Sequence, residues 1–454
     1  MSIYNLLCRN FMLPINDILS HTDINKNLNF FEKSQWWTPK QLEEYQNKKL
    51  LQLIKHAYEN VPYYHYLFKS LSLKPEDIKT KDDLIKLPIL SKEIIRKNWN
   101  LFISGNAEKK DLIIASTSGS SGNVFKYVVN RKVLSAQRAN GLRTWRYAGY
   151  EIGDKMATLG GTSLLPQNIN IYKKFAFKAF RDLLLSSYNL DSEKLKTFAT
   201  KIEKYKPDFI RGYPSSISNL ANYLIENNKN NIKLIAAMTT SETLTKKDRR
   251  IIGEAFDCDI IDQCGCYDGG ESLCECKEHC GYHIAVERSI HEFLDENHEP
   301  ISGCKVGNII LTDLWNYSMP FIRYDAGDMA LTTDESCACG RGLPLVKSII
   351  GRTIEQIILP NGDSIPGIVF SDIFEKKEIA DKIMDYQIIQ EYFDKFDIFI
   401  VQNKGYNEEI SRKIANFLEG HMGIHLDIRF KFVDHIPRTK ANKRKFIISR
   451  LKHN

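Results

Sequence analysis

No stretch of this chain approaches the roughly eighteen consecutive apolar residues of a membrane span. Its first residues, Met1-Ser2-Ile3-Tyr4-Asn5-Leu6-Leu7-Cys8-Arg9, lack a basic leader, a long apolar core and a small-residue cleavage site. These absences predict a cytoplasmic protein without a membrane span. Internal repeats and low-complexity segments are missing too. Charge of one sign is barely in excess: Lys and Arg number 63 against 56 Asp and Glu, a formal net charge of +7. The densest basic run, Lys440-Ala441-Asn442-Lys443-Arg444-Lys445, has no interleaved aromatics and belongs to no recognisable binding module, so a nucleic-acid partner is not expected. Nothing in the pattern specifies an oligomeric state.

What is present describes an ordinary soluble chain of 454 residues, 43% hydrophobic and 26% charged, too long for one typical core. Ten cysteines in a reducing compartment need a reading other than disulfides, and most of them fall between Cys258 and Cys339. The first hundred residues read as helical, with apolar positions at helical spacing over 41–68 and 81–98. From Leu112 the texture becomes alternating strand, loop and helix, the mark of an α/β core. Strands are expected at 125–129, 157–159, 209–210, 234–238 and 260–261. Helices are expected at 131–148, 192–205 and 245–256, and another is expected to run to Glu226 from an N-cap at Ser215 or Ser216. Strands follow at 307–312 and 357–359, with a hairpin turn at Pro360-Asn361-Gly362-Asp363. The last hundred residues alternate strand (396–401), helix (407–418) and strand (428–433), and read as a small separate α+β domain.

The apolar run Leu112-Ile113-Ile114-Ala115 opens into Ser116-Thr117-Ser118-Gly119-Ser120-Ser121-Gly122, a loop suited to grasping phosphate. Glycine lets several N–H groups converge on an anion, hydroxyls add donors, and Lys126 adds positive charge. No Gly-Lys-Ser/Thr follows, so it is not a Walker loop. Ser/Gly segments are also the usual turn formers, and such a segment alone is more often plain surface.

Its company decides. Downstream, in order, stand Thr240-Ser241-Glu242-Thr243-Leu244, Asp262-Gln263-Cys264-Gly265-Cys266-Tyr267-Asp268-Gly269-Gly270, Met319-Pro320-Phe321-Ile322-Arg323-Tyr324-Asp325-Ala326-Gly327-Asp328, Gly351-Arg352 and Ile436-Pro437-Arg438-Thr439-Lys440-Ala441-Asn442-Lys443. The ordered set resembles the adenylate-forming superfamily. Within it, the set is most similar to the branch of phenylacetate–CoA ligase, CapK and the coenzyme F390 synthetase-like proteins. The resemblance covers nearly the whole chain, including Asn60-Val61-Pro62-Tyr63-Tyr64 and Leu87-Pro88-Ile89-Leu90-Ser91-Lys92.

The resemblance implies a large multi-layer α/β N-terminal domain (1–353, with a zinc-binding insert) and a small α+β lid (354–454). It implies an ATP-dependent, AMP-forming ligase that converts a carboxylate to an acyl-adenylate and hands the acyl group to an acceptor, most simply coenzyme A. The cofactors implied are ATP, Mg²⁺, coenzyme A as co-substrate and a structural Zn²⁺. Thr117, Ser118, Gly119, Ser120, Ser121, Gly122 and Lys126 would hold the β- and γ-phosphates. Ser241, Glu242, Cys264, Gly265 and Tyr267 would line the nucleotide. Asp268 would hold Mg²⁺, Asp328 the ribose hydroxyls, and Arg352 the ribose and phosphate. Lys443 matches the mobile lid lysine that neutralises charge at the carboxylate and α-phosphate, while Arg438 reads as structural. Acyl-pocket residues are expected at 160–165, 211–216 and 238–241.

Departures from the family pattern are visible. Cys264 stands where a tyrosine usually stacks on adenine, so stacking there is lost or supplied by Tyr267. Asp268 replaces glutamate, Ser241-Glu242 replaces Gly-Glu, and Thr353-Ile354-Glu355 replaces paired aspartates at the hinge. The alternatives are a capsule-associated, CapK-like enzyme acylating an amine or a sugar, and a non-catalytic nucleotide-binding relative.

Cys276-Lys277-Glu278-His279-Cys280-Gly281-Tyr282-His283 and Cys337-Ala338-Cys339 supply enough soft or borderline ligands for a tetrahedral structural zinc. This branch often builds a zinc site from such a pair of segments. Cys276, His283, Cys337 and Cys339 are the favoured set, with Cys274, Cys280 and His279 as alternatives. Cys264 and Cys266 read as pocket lining, and Cys8 and Cys304 as incidental.

Overall fold

The computed structural model describes residues 2–117, 124–161, 164–165, 171–188, 190–229, 232–352, 356–361, 364–439 and 443–451. Its centre is an 11-stranded mixed sheet. One half is parallel, with Asp259–Cys264, Ala236–Thr240, Phe209–Gly212, Met156–Gly160 and Asp182–Ser186 side by side in that order. The other half is antiparallel and runs from Leu273–Glu275 and Tyr282–Ile284 through Leu345–Arg352, Tyr324–Thr332 and Val306–Asp313 to Ser289–Leu294. Parallel strands need crossovers, and helices Ser192–Tyr205, Pro214–Glu226 and Lys246–Phe256 supply them. Strand Ala236–Thr240 is buried along its whole length, as covering of both faces requires.

The helical periodicity of the first hundred residues becomes helices Pro39–Asn60 and Pro62–Ser70, each opened by a proline that has no N–H to lose at a helix start. Helix Pro214–Glu226 departs from expectation at its start. Pro214 takes the first helical position, Tyr213 is the N-cap without a side-chain bond, and Ser215 and Ser216 are buried inside the first turn. Proline's preset φ outweighs the hydroxyl caps. The strand expected at 234–238 begins at Ala236.

Three apolar clusters fill the larger body, and their fully buried residues reach no further than Val346. A fourth draws only on residues from Ile357 to Ile447. There a four-stranded sheet, with strand Lys395–Gln402 between Ile383–Gln390 and Asp427–Phe432, packs on helix Glu408–Met422 through Ile410, Ile414 and Leu418. Asn407 caps that helix through the Ile410 N–H, and Gly423 ends it at φ 67°.

Candidate active site and cysteine cluster

In an open parallel sheet ligands settle beyond the carboxyl ends of the strands. Here those ends carry Gly160, Gly212, the pair Ser241-Glu242, and residues 264–268. Gly212 is obligatory, because a Cβ there would lie 2.1 Å from the carbonyl oxygen of Leu159. Ser241 sits at φ 72°, the left-handed region where glycine has no steric cost, which explains physically why Gly-Glu is the commoner pair.

Asp268 is 2% exposed, and both of its oxygens accept hydrogen bonds. The Cys266 thiol donates to Oδ1 at 2.6 Å and the Tyr324 hydroxyl to Oδ2 at 2.5 Å. Burial and the carboxylates of Asp268, Asp328 and Glu271 push the Cys266 thiol well up, so these acids converge on one spot. A carboxylate has about four lone-pair sites, so Asp268 retains acceptor capacity. Mg²⁺ needs only one or two protein carboxylates beside substrate phosphates, and the residues present fit that ion. Asp328 is buried on strand Tyr324–Thr332, opposite Arg352 in register. Tyr267 exposes its ring while its carbonyl accepts from Gln137 Nε2 at 3.1 Å; Cys264 ends its strand half-buried.

The stem of the hydroxyl/glycine loop is a hairpin. Ile113–Ser116 pairs with Lys126–Val129, and the Thr117 N–H donates to Phe125 O at 2.9 Å. Lys126 faces solvent there. Ser118, Gly119, Ser120, Ser121 and Gly122 lie outside the described residues, as do the hinge residues 353–355, Gly362 and Asp363 of the expected turn, and the side chain of Arg352.

The smaller body docks on the larger beside these strand ends. The Arg444 N–H donates to Glu242 Oε1 at 2.7 Å, while Oε2 of the same carboxylate accepts from the Ser215 N–H at 3.2 Å. The Arg444 guanidinium pairs with Asp248, the two side chains 8% and 5% exposed. Arg250 meets Asp381 at 2.7 Å, and Glu375 accepts from the Lys246 N–H at 2.9 Å. Lys443 therefore neighbours a residue anchored at the carboxyl edge of the sheet. Its N–H donates to Thr439 Oγ1 and its carbonyl accepts from the Thr439 N–H, both at 3.0 Å. Arg438 pairs with Asp385 at 3.0 Å, in line with a structural role.

Sequence reasoning missed Asp248 and Arg444. Thr245-x-x-Asp248 is legible as a helix N-terminus, and Thr245 does cap helix Lys246–Phe256. Its pairing with a residue 196 positions away has no local signal.

Cys276, His283, Cys337 and Cys339 converge, with their ligand atoms within 4.8 Å of one another. Cys276 Sγ lies 3.5 Å from Cys337 Sγ, and Cys339 Sγ lies 3.3 Å from His283 Nε2. A tetrahedron of about 2.3 Å metal–sulfur bonds has an edge of about 3.8 Å, so the group is sized for zinc and not for disulfides of about 2.05 Å. Burial, then the nearby Arg341, push His283 down to about 4, keeping it the neutral imidazole a metal requires. The alternatives stand apart: Cys274 Sγ donates to Glu275 O, Cys280 Sγ to Glu278 O, and His279 meets Asp259 at 2.9 Å. Cys8 is buried on the inner side of the first helix, and Cys304 is exposed.

Residues 357–450 match the model of the CapK C-terminal domain. Protein CapK of Staphylococcus aureus is 26% identical over 416 residues, covering 90% of each chain. A phenylacetate-coenzyme A ligase of Thermus thermophilus is 22% identical over 397 residues, covering 83% of this chain and 84% of that one. Among solved structures, 2-hydroxyisobutyryl-CoA ligase in its postadenylation state, with 2-HIB-AMP, superposes with a TM-score of 0.74 at 16% identity, covering 91% of this chain and 90% of that one. The same ligase in its thioesterification state gives 0.57 over 90% of each chain. Over about nine-tenths of its length this chain is thus similar to proteins of the adenylate-forming superfamily, in the branch that holds phenylacetate–CoA ligase and CapK.

Proposed function

We propose that the protein is an ATP-dependent, AMP-forming ligase whose larger body (1–353) and lid (354–454) act in two half-reactions. A carboxylate oxygen attacks the α-phosphorus of ATP and pyrophosphate leaves. The nucleophile of an acceptor then attacks the acyl carbon and AMP leaves. The observation that supports this reading is the docking of the lid through Arg444 on Glu242 and Asp248, with Lys443 the preceding residue in the chain. The higher TM-score to the postadenylation form than to the thioesterification form supports a lid set for the first half-reaction.

In this reading Asp328 holds the ribose, Tyr267 offers a ring to adenine, and Asp268 holds Mg²⁺, which supplies positive charge at the phosphates. Lys443 neutralises charge at the carboxylate and α-phosphate. Zn²⁺ held by Cys276, His283, Cys337 and Cys339 braces the sheet, since four protein ligands leave no position for a reacting water. Coenzyme A is the acceptor named by the phenylacetate-coenzyme A ligase relatives, while CapK favours no acceptor by its name.

Arg211 bears on the acid. Its guanidinium lies 4.8 Å from the centre of the Trp145 ring, its Nε is buried with no hydrogen-bond partner, and it makes no ion pair among the described residues. Residues 161–170, which follow the neighbouring strand, contain no Asp or Glu. An acid with an anionic or strongly polar group remote from its reacting carboxylate would meet this cation.

The test is ATP–pyrophosphate exchange with a panel of mono- and dicarboxylic acids. Lys443→Ala should nearly abolish exchange with the fold intact; survival at close to the wild-type rate would remove the lysine from the mechanism. ATP binding without pyrophosphate release across a broad panel would favour a non-catalytic relative.

A further inference from the structure

Residues 3–20 carry an apolar surface that the ligase reading leaves unused. Residues 3–20 form one continuous helix with a wide turn at Cys8–Met12, where the Leu13 N–H reaches back to Cys8 O and Pro14 follows without an N–H to offer. Its inner face is held firmly. Asn5 Nδ2 donates to Asp154 Oδ1 at 2.7 Å, Cys8 and Leu13 are buried, and Asp17 accepts from the N–H groups of Ile24 and Asn25 at 3.0 and 2.7 Å.

The outer face is a stripe of large apolar side chains at helical spacing: Ile3, Leu7, Phe11, Ile15 and Leu19, flanked by Leu6 and Ile18. Their exposure runs from 42% at Leu7 to 88% at Ile3. The helix holds two charges, and neither lies on this stripe: Arg9 pairs with Glu32 at 2.9 Å, and Asp17 is buried. Folded monomers rarely leave such a contiguous uncharged strip to water.

Beside the stripe lies a cluster of cations. Tyr4 links the two, donating to Ala179 O at 2.7 Å while the Arg181 guanidinium stacks 3.6 Å from its ring. Helix Ile171–Ala179 exposes Phe175 between the exposed Lys174 and Lys178. A cavity of about 520 Å³ opens there, lined by Lys155, Lys174, Lys178 and Arg181 with Asp182 and apolar walls. None of the four cations makes an ion pair among the described residues, and Asp182 is engaged with Thr158 Oγ1 at 2.8 Å.

We infer that this face is a membrane-contact surface, in which the 3–20 stripe enters the interface of a lipid bilayer and Lys155, Lys174, Lys178 and Arg181 meet anionic headgroups. An uncharged apolar strip flanked by unpaired cations complements acyl chains lying beneath phosphates. A second copy of the chain would cover the stripe and leave the four cations unmatched. The contact is peripheral, since no helix among the described residues is long and apolar enough to cross a membrane.

Sedimentation of the full chain with vesicles tests this, comparing phosphatidylcholine–phosphatidylglycerol mixtures with pure phosphatidylcholine. The wild type should partition at least about tenfold more strongly to the anionic vesicles and lose that preference at high salt. Phe11→Ser/Ile15→Ser should lower partition to both by at least about tenfold. Lys174→Gln/Lys178→Gln should remove the anionic preference alone, by about tenfold or more. Both pairs alter exposed side chains, so thermal melting and pyrophosphate exchange should stay at wild-type values. No binding of the wild type to anionic vesicles overturns the inference, as does a stripe variant that binds unchanged. A lipid-free dimer in analytical ultracentrifugation that the stripe variant dissolves assigns the face to a second copy and also overturns it.

Discussion

Replacing Arg444 by alanine should separate the two half-reactions. In the docked state Arg444 and Asp248 form a pair that water hardly reaches, and Asp385 lies 3.8 Å from the same guanidinium. Removing one partner of such a pair costs about 3–5 kcal/mol, because the remaining charge stays buried and uncompensated. The larger body and the lid have separate cores, so this cost falls on docking and not on folding of either body. When the lid leaves, Asp248 regains water and the penalty disappears. A loss of about 3 kcal/mol lowers the docked population by roughly two orders of magnitude. ATP–pyrophosphate exchange should therefore fall about a hundredfold in Arg444→Ala, while AMP release from preformed acyl-adenylate and coenzyme A should hold or rise. Combining Arg444→Met with Asp248→Asn removes both charges and should recover most of the exchange. Exchange within about threefold of wild type in the single variant, or equal loss in both half-reactions, refutes the argument.

Loss of metal should show in stability. Cys339→Ser, or prolonged chelation of the wild type, should lower the melting temperature and release about one zinc per chain by elemental analysis; a metal-free wild type with an unchanged melting temperature contradicts the assignment. Arg211→Met should raise KM for dicarboxylates more than for monocarboxylates of similar length, and a uniform change across the panel would place Arg211 outside the acyl pocket. His291 supplies a pH test. Burial holds its imidazole down at about 4, so between about 6.5 and 4 the unfolded chain binds the extra proton and stability falls as pH falls. The full effect is about 3 kcal/mol. It should appear as a slope in urea midpoints over that window, and His291→Gln should flatten it.

Much of both bodies is legible in the sequence because their elements are locally encoded. Helix Ser192–Tyr205 lies where periodicity puts it, and helix Glu408–Met422 follows its Asn407 cap. Strand Ile383–Gln390 carries no comparable signal, because its Asp, Tyr and Gln residues break the apolar run that marks a central strand. At helix Pro214–Glu226 two serines advertise an N-cap, but Pro214 already starts the helix and Tyr213 takes the cap position.

The order of motifs, and the chemistry of each, is a property of the chain by itself. Hydroxyls and glycines suit an anion, Ala-Gly-Asp carries a hydrogen-bonding acid, and soft ligands in two short segments suit zinc. Which residues meet is a property of the fold. Only the fold brings Cys276 and His283 to Cys337 and Cys339 and leaves Cys274, Cys280 and His279 with other partners. Only the docked lid brings Arg444, next to Lys443 in the chain, to Glu242 and Asp248. The stripe from Ile3 to Leu19 makes the same point from the surface. Its helical spacing is written in the sequence, but the same spacing serves a buried helix equally well. The hydrophobic effect fixes that a stripe wants cover; packing decides which side of the helix finds it within the chain, and here it left the other side to water.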